Sequence, residues 1–194
     1  EAGWLPAYVQ YMAAQARHLK GQIIPSDRPN ENIFLYKMPI GVAGQIMPWN
    51  FPLFLIGRKV APALIAGCTV VLKASSDCPN GAYEFAKIVE KSSLPKGVIN
   101  VITGSGALTG NALASNPTIS LVTITGSTEV GKKIMKAAAD NVTKVSLELG
   151  GKAPVIVKRD TPGQLGNRLL HAIIREAINI VEIGLASAED VDTA

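Results

Sequence analysis

The chain has 194 residues, 47% apolar and 18% charged, which is enough to build a buried core and too apolar for disorder. Its net charge of +4 comes with scattered lysines, no basic run and only eight aromatic residues besides two Trp, which argues against nucleic acid as a partner. Two cysteines ten residues apart, Cys68 and Cys78, suit a reducing, cytoplasmic setting and form neither a disulfide framework nor a metal site.

The opening EAGWLPAYVQYMAAQ lacks the charged-then-apolar order of a signal peptide. It starts on Glu rather than Met, which points to a trimmed piece. No run of eighteen apolar residues occurs, so no membrane span is expected. Residues 4–19 carry Leu5, Val9, Met12, Ala13 and Ala16 at helical spacing. IIPSDRPNENIFLYKMP follows, with Pro and Asn breaking two short β-rich runs.

From Val42 the pattern alternates. VAGQIMP reads as a buried strand, LFLIGRKVAPALIAG as a helix closed by Gly67, and TVVLKAS as a second buried strand. PNGAYEFAKIVEKSSLP reads as a helix with Asn80 as its N-cap. GVINVITG is a third strand, ALTGNALASN a helix, ISLVTITG a fourth strand, TEVGKKIMKAAADN a helix and KVSLELG a fifth strand. Strands that are apolar on both faces and alternate with helices predict an α/β fold, a doubly wound parallel sheet covered on both sides. Ligands of such sheets sit beyond the carboxyl ends of the strands. Those ends are Pro48–Asn50, Lys73–Ser76, Thr103–Gly106, Thr125–Ser127 and Glu148–Gly151, where most of the polar and glycine-rich residues gather.

TGSGALTG and TGSTEVGK each follow a strand and open a helix, a geometry that lets phosphate approach backbone N–H groups. Neither is a strict G-x-G-x-x-G or a P-loop, and each also fits a tight turn. Lys73 leaves an apolar strand where it can reach a ribose or phosphate, or snorkel as a surface lysine. Asn50, after Pro48 and Trp49, is placed to donate to an oxyanion or to shape a turn. Glu148, between Leu147 and Leu149 on an apolar strand, is expected to be buried with a raised pKa, as a general base or a paired structural acid.

Taken in order, GQIMPWNFPLF, GCTVVLKAS, LVTITGSTEVGKKI and LELGGKAPVIV resemble the NAD(P)-dependent aldehyde dehydrogenase family over residues 1–157, nearest to its lactaldehyde and glycolaldehyde members. The resemblance implies a Rossmann-like domain and oxidation of an aldehyde to a carboxylic acid, with NAD or NADP as cofactor. It makes Asn50 the oxyanion amide and Glu148 the base that activates the deacylating water. Lys73 becomes the lysine on the adenosine ribose, Ser127 the serine at the pyrophosphate, and Gly150 part of the glycine pair beside the nicotinamide. The same carry-over puts Pro48, Trp49, Ser75, Gly106, Gly110, Thr125, Gly126, Val130 and Leu149 in the cofactor site.

Two departures follow. Many NAD-preferring members carry Glu three positions after the ribose lysine. Ser76 stands there, and a neutral hydroxyl removes the repulsion against a 2′-phosphate. The family's catalytic cysteine lies a few dozen residues beyond the Glu148 position, where no Cys occurs. Cys68 reads as a core thiol and Cys78 as a loop residue, so binding without turnover is expected.

From about Lys158 the pattern changes. KRDTPGQLGNRLLHAIIREAINIVEIGLASAEDVDTA resembles the start of the C-terminal helical domain of 3-hydroxyacyl-CoA dehydrogenases, through Pro162-Gly163, Asn167-Arg168, Arg175-Glu176-Ala177 and Ala188–Asp192. Asn167 matches an Asn beside that family's catalytic His, but the His and Glu of its hydride chemistry have no counterpart. His18 and His171 lie on helices. Leu169, Ile173, Ala177, Ile180 and Val181 form an apolar stripe suited to a homo-oligomer. Gly184 suits a C-cap, and Ser187 with Asp190 a capping box.

Three segments result: 1–40, an N-terminal helix and β-rich arm; 41–157, the NAD(P)-binding domain; and 158–194, the helical tail. A truncated or chimeric aldehyde dehydrogenase leads this reading. A non-catalytic nucleotide-binding or designed scaffold and a hydroxyacyl-CoA dehydrogenase-type oxidoreductase stand behind it. A small aldehyde is the expected partner in the full-length family, with no nucleic acid, membrane or metal.

Overall fold

The computed structural model describes residues 1–151, 165–183 and 186–187, and the side chains of these residues except 165–172. It divides into two compact units, Glu1–Gly150 and Gly151–Ala194.

The first unit is built on a five-stranded parallel sheet of order β5-β4-β3-β6-β7. Its strands are β3 (Val42–Ile46), β4 (Thr69–Lys73), β5 (Ile99–Ile102), β6 (Ile119–Thr125) and β7 (Lys144–Glu148). Ahead of them stand α1 (Trp4–Gln15), a 3-10 turn at Ala16–His18, and an antiparallel pair, β1 (Gln22–Pro25) with β2 (Asn32–Leu35). The crossovers are α2 (Phe54–Ile65) and α3 (Asn80–Glu90), then a π-helical turn Gly106–Gly110 running into α4 (Asn111–Ala114), and α5 (Thr128–Ala139). After β5 the chain returns to the far side of β3, so the strand order reverses between β3 and β6. That makes the fold doubly wound, with its switch point at those two carboxyl ends.

Two cores cover the sheet. Ile46, Leu113, Ala114, Ile119, Val122, Ile124 and Ile134 pack under α4 and α5. Met47, Ile56, Val60, Val70, Leu72, Ala74 and Ala82 pack under α2 and α3. At roughly 25 cal/mol per Å² of buried apolar surface, these clusters are the main term favouring the fold. On the α2 side, α1 closes in as well. A Cβ at Gly57 would stand 3.2 Å from Leu5 Cγ, and Trp4 stacks on Phe51 and meets Phe54 edge-on.

Helix ends follow local chemistry. After α2, Gly67 takes φ +80, its N–H donates to Leu64 O, and the Cys68 N–H donates to Ala63 O. That pair of bonds is a Schellman motif. After α5 the same bonds form from Val142 to Ala139 O and from Thr143 to Ala138 O, with Val142 at φ +53.

Several expectations need correction. Asn80 is the first residue of α3 rather than its cap: Pro79 holds the cap position, without a side-chain bond. Residues after β5 open as a π-helical turn before four residues of α-helix. β7 is not apolar on both faces. It is an edge strand of the described sheet and alternates, with Lys144, Ser146 and Glu148 exposed and Val145 and Leu147 half-buried.

In the second unit, α6 (Leu165–Glu182) is the described element. Ile173, Ile174, Ile178 and Val181 are exposed on it, while Ala177 and Ile180 are half-buried. Asn167, Arg168, Leu169 and His171 lie on this helix with side chains outside the described set, and Pro162, Gly163, Gly184 and residues 188–194 fall outside the described residues. Among the described residues no helix is long and apolar enough to cross a membrane.

Candidate nucleotide site at the carboxyl edge of the sheet

Register brings the predicted site residues to one edge. Ile46 pairs with Lys73 on one side and Ile124 on the other, Lys73 pairs with Ile102, and Thr125 pairs with Glu148. The loops after all five strands therefore leave the same end of the sheet.

The two faces of that edge hold different groups. Val71 and Leu147 pack with the α4–α5 core. The period of two then puts Lys73 on the α4–α5 face and Glu148 on the α2 face. Lys73 is 2% exposed, so it does not snorkel. A Cβ at Gly110 would lie 3.9 Å from its Cδ, and its Nζ donates to Ala74 O at 2.9 Å. Burial lowers its pKa and Asp77 opposes that shift. Next to it, Ser76 Oγ donates to Gly104 O at 3.0 Å, and the Asp77 N–H donates to Ser75 Oγ at 3.3 Å. Gly104, at φ +130, admits no side chain, because a Cβ would strike Thr109 Oγ1.

Both glycine loops use the same device. Ser105 Oγ accepts the Leu108 N–H at 3.2 Å, and Ser127 Oγ accepts the Val130 N–H at 3.3 Å. Each serine is an N-cap in extended backbone. At the start of α5 the N–H groups of Thr128 and Glu129 have no protein acceptor among the described residues, as expected of a first turn. With Ser127 O–H still free to donate and the helix dipole behind it, this terminus suits an anion. Glu129 is drawn away into an exposed pair with Lys133 at 2.7 Å. Gly126 donates to Glu148 O at 3.0 Å, tying this loop to the end of β7. Leu149 packs on α5, where a Cβ at Gly131 would overlap its side chain, whereas Gly106 and Gly150 face open space.

On the other side of the switch point, Trp49 is 67% exposed and Asn50 is exposed at a bend. The loop is braced by Trp4 on Phe51 and by the Leu53 N–H donating to Glu1 Oε2 at 3.3 Å. The Asn50 amide has no hydrogen-bond partner among the described residues. Glu148 is exposed rather than buried, because β7 ends the described sheet. Its neighbour is a lysine that sequence reading passed over. Lys59 Nζ donates to Thr123 Oγ1 at 2.7 Å, and Lys59 O accepts from the buried Gln45 Nε2 at 2.9 Å. Burial lowers the Lys59 pKa to about 8, with Glu148 opposing and Arg58 adding to the shift. The signal was present: Lys59 is three residues after Ile56 and four before Ala63, on the stripe that faces the sheet.

The two thiols lie at opposite ends of β4. Cys68 is buried at 7% just before β4, at the amino end of the sheet. Five strand residues, about 16 Å, separate it from the edge that carries Lys73. Cys78 is half-buried in the segment between β4 and α3.

A doubly wound sheet with a capped helix terminus, a buried lysine and a carboxylate along one carboxyl edge is the Rossmann-like class of α/β fold, whose ligand crevice lies at this switch point. The sequence profile of the aldehyde dehydrogenase family matches residues 4–178, and the chain belongs to that family. The match runs through Val157, past the junction expected there. Lactaldehyde dehydrogenase of Escherichia coli K12 is 53% identical over 165 residues, 85% of this chain and 34% of that protein. The crystal structure of lactaldehyde dehydrogenase from Escherichia coli aligns with TM-score 0.77 at 54% identity, over 78% of this chain and 32% of that one. The structure of 3,6-anhydro-L-galactose dehydrogenase in complex with NADP gives 0.75 and 42%, over 82% and 33%. The chain thus spans about a third of the length of these relatives. Members of the family are NAD(P)-dependent.

Proposed function

We propose that the chain is a truncated or chimeric aldehyde dehydrogenase whose 194 residues bind NAD or NADP without turning over an aldehyde. The observation that carries this reading is the meeting of Lys73, the capped terminus of α5 and Glu148 along one sheet edge, on a family match of residues 4–178. Two unclaimed N–H groups beside Ser127 and a buried ammonium at Lys73 fit the anionic and hydroxyl-rich parts of a dinucleotide.

In this reading Lys73 holds the adenosine ribose, with Ser75 and Ser76 beside it and Gly106 and Gly110 keeping the approach open. Ser127, with Gly126 and Val130, takes the pyrophosphate. Pro48, Trp49, Thr125, Leu149 and Gly150 lie along the path to the nicotinamide. Asn50 donates to the developing oxyanion of a small aldehyde, and Glu148 takes the proton of the attacking water. The bound cofactor supplies the acceptor for two electrons. Acyl transfer also needs a thiolate near Asn50. Cys68 sits at the opposite end of its strand and Cys78 is a half-buried loop residue on the cofactor side, so in this reading neither replaces the nucleophile and these residues bind cofactor without oxidation. Unpaired cysteines suit a cytoplasmic setting. The chimeric form rests on the resemblance of residues 158–194 to a hydroxyacyl-CoA dehydrogenase tail, and the family match as far as residue 178 weighs toward the truncated form.

Calorimetric titration with NAD and NADP, followed by an assay with glycolaldehyde, tests this. Binding with no reduced cofactor is the expected outcome. Failure to bind either nucleotide, or turnover that survives Cys68→Ala and Cys78→Ala together, refutes the reading.

A further inference from the structure

On the α2 face of the sheet lies a pocket of about 490 Å³ that reaches from Cys68 to Glu148, within the range that holds small molecules. Its walls include Leu55, Ala63 and Leu121. Its polar groups gather around one amine: Lys59 Nζ, bonded to Thr123 Oγ1 at 2.7 Å, with Arg58 and Glu148 lining the same space.

We propose that Lys59 is a carbonyl-capture site whose amine condenses reversibly with small aldehydes to form an imine. The reaction uses neither dinucleotide nor thiol, so it stands apart from the function proposed above. The ammonium first gives a proton to the Glu148 carboxylate or to water. The nitrogen lone pair then forms a C–N bond to the carbonyl carbon, and the carbonyl oxygen takes up a proton. Nitrogen gives up a second proton, the hydroxyl takes up another and leaves as water, and loss of the last nitrogen proton gives C=N. One aldehyde and one amine become one imine and one water, with no change in oxidation state.

Three features favour Lys59 over the other lysines. Its stem is on the buried stripe of α2, so the nitrogen is held at a fixed place rather than swept through solvent. Apolar walls disfavour the ammonium, and the Arg58 guanidinium beside it works in the same direction. Glu148 is close enough to act on its charge and offers a carboxylate to shuttle protons from nitrogen to oxygen. Exposed lysines such as Lys87 and Lys133 have none of this, and each is engaged with a carboxylate at 2.7 Å.

The test is reductive trapping. The full 194-residue chain is incubated with propionaldehyde and cyanoborohydride at pH 7.5, and the alkylated lysines are located by peptide mass spectrometry. Lys59 is expected to be modified at least about tenfold faster than the median lysine. Lys59→Met, with its circular dichroism spectrum checked against the parent, should lose the fast adduct. Even labelling across the surface lysines would overturn the proposal, and mapping on the parent chain decides this even if the variant fails to fold. Titration of the same sample with NADP is read separately: absence of nucleotide binding counts against the proposed function and leaves the lysine result standing.

Discussion

Ser76 spends its hydroxyl proton on Gly104 O and remains exposed, so a longer acid at this position has room to reach outward. Replacing it with Glu adds a negative charge where a 2′-phosphate is expected. At a few ångströms in partly screened surroundings, such repulsion amounts to about 1–4 kcal/mol. Ser76→Glu should therefore weaken NADP by about tenfold or more relative to NAD, read as the ratio of calorimetric Kd values. An unchanged ratio would remove Ser76 from the cofactor site. The Lys59 pKa falls from the ordinary lysine value of 10.5 to about 8 on folding, so between those values the unfolded chain binds more protons than the folded one. Stability contributed by this group must rise with pH across that window. Below pH 8 the half-buried ammonium carries its full penalty, on the order of 2 kcal/mol after allowance for solvent screening. Thr123, Glu148 and Arg58 are the groups facing it. Lys59→Met should accordingly raise the melting temperature most near pH 7 and progressively less toward pH 10. A gain that is flat with pH would show that Lys59 is not buried as described.

Elements here end where the chain can supply a left-handed residue, and the two long crossover helices solve this differently. α2 uses Gly67, for which φ +80 is unstrained. α5 uses Val142 at φ +53, a β-branched residue in a region that costs L-residues about 1–2 kcal/mol. Val142 is 88% exposed, so little packing offsets that strain. Val142→Gly should keep the bonds to Ala138 and Ala139, relieve the strain, and lose part of the gain to the greater freedom of an unfolded glycine. A net gain of about 0.5–1 kcal/mol, some 1–4 °C in Tm for a chain of this size, is expected in thermal denaturation monitored at 222 nm. No change, or a loss, would mean that Val142 is not held in the left-handed region. Because α5 leads directly into β7 and Glu148, the variant also probes whether this strain sets the position of the site. Cofactor affinity unchanged alongside a raised Tm would separate the two.

For the whole molecule, alternation of apolar strands and helices was enough to read a doubly wound sheet, and five strand-end segments led straight to the residues that meet at its edge. What composition and spacing could not supply was strand order. Lys73 and Glu148 both stand at strand ends in the sequence, yet β3 and β6 lie between their strands, and the two side chains take opposite faces. The exposure of Glu148 has the same origin, since KVSLE is half polar and settles at the edge of the described sheet. Lys59 was missed because its partner Thr123 is 64 residues away, a pairing that only the fold creates. α6 has eighteen residues, about 27 Å of helix, with Ile173 and Ile178 more than half exposed. A stripe about 10 Å wide along that length buries only some 300 Å² per copy, roughly 600 Å² for a pair, well below the 1,000 Å² or so of a stable interface. If the tail mediates the homo-oligomer that its apolar stripe suits, association through α6 alone must be weak, with a dissociation constant in the tens of micromolar or above. Sedimentation equilibrium should then show monomer at about 1 µM and a rising dimer fraction near 100 µM. Ile173→Lys with Ile178→Lys should abolish that rise, while a tight dimer at 1 µM, or one indifferent to both substitutions, would place the interface away from this helix.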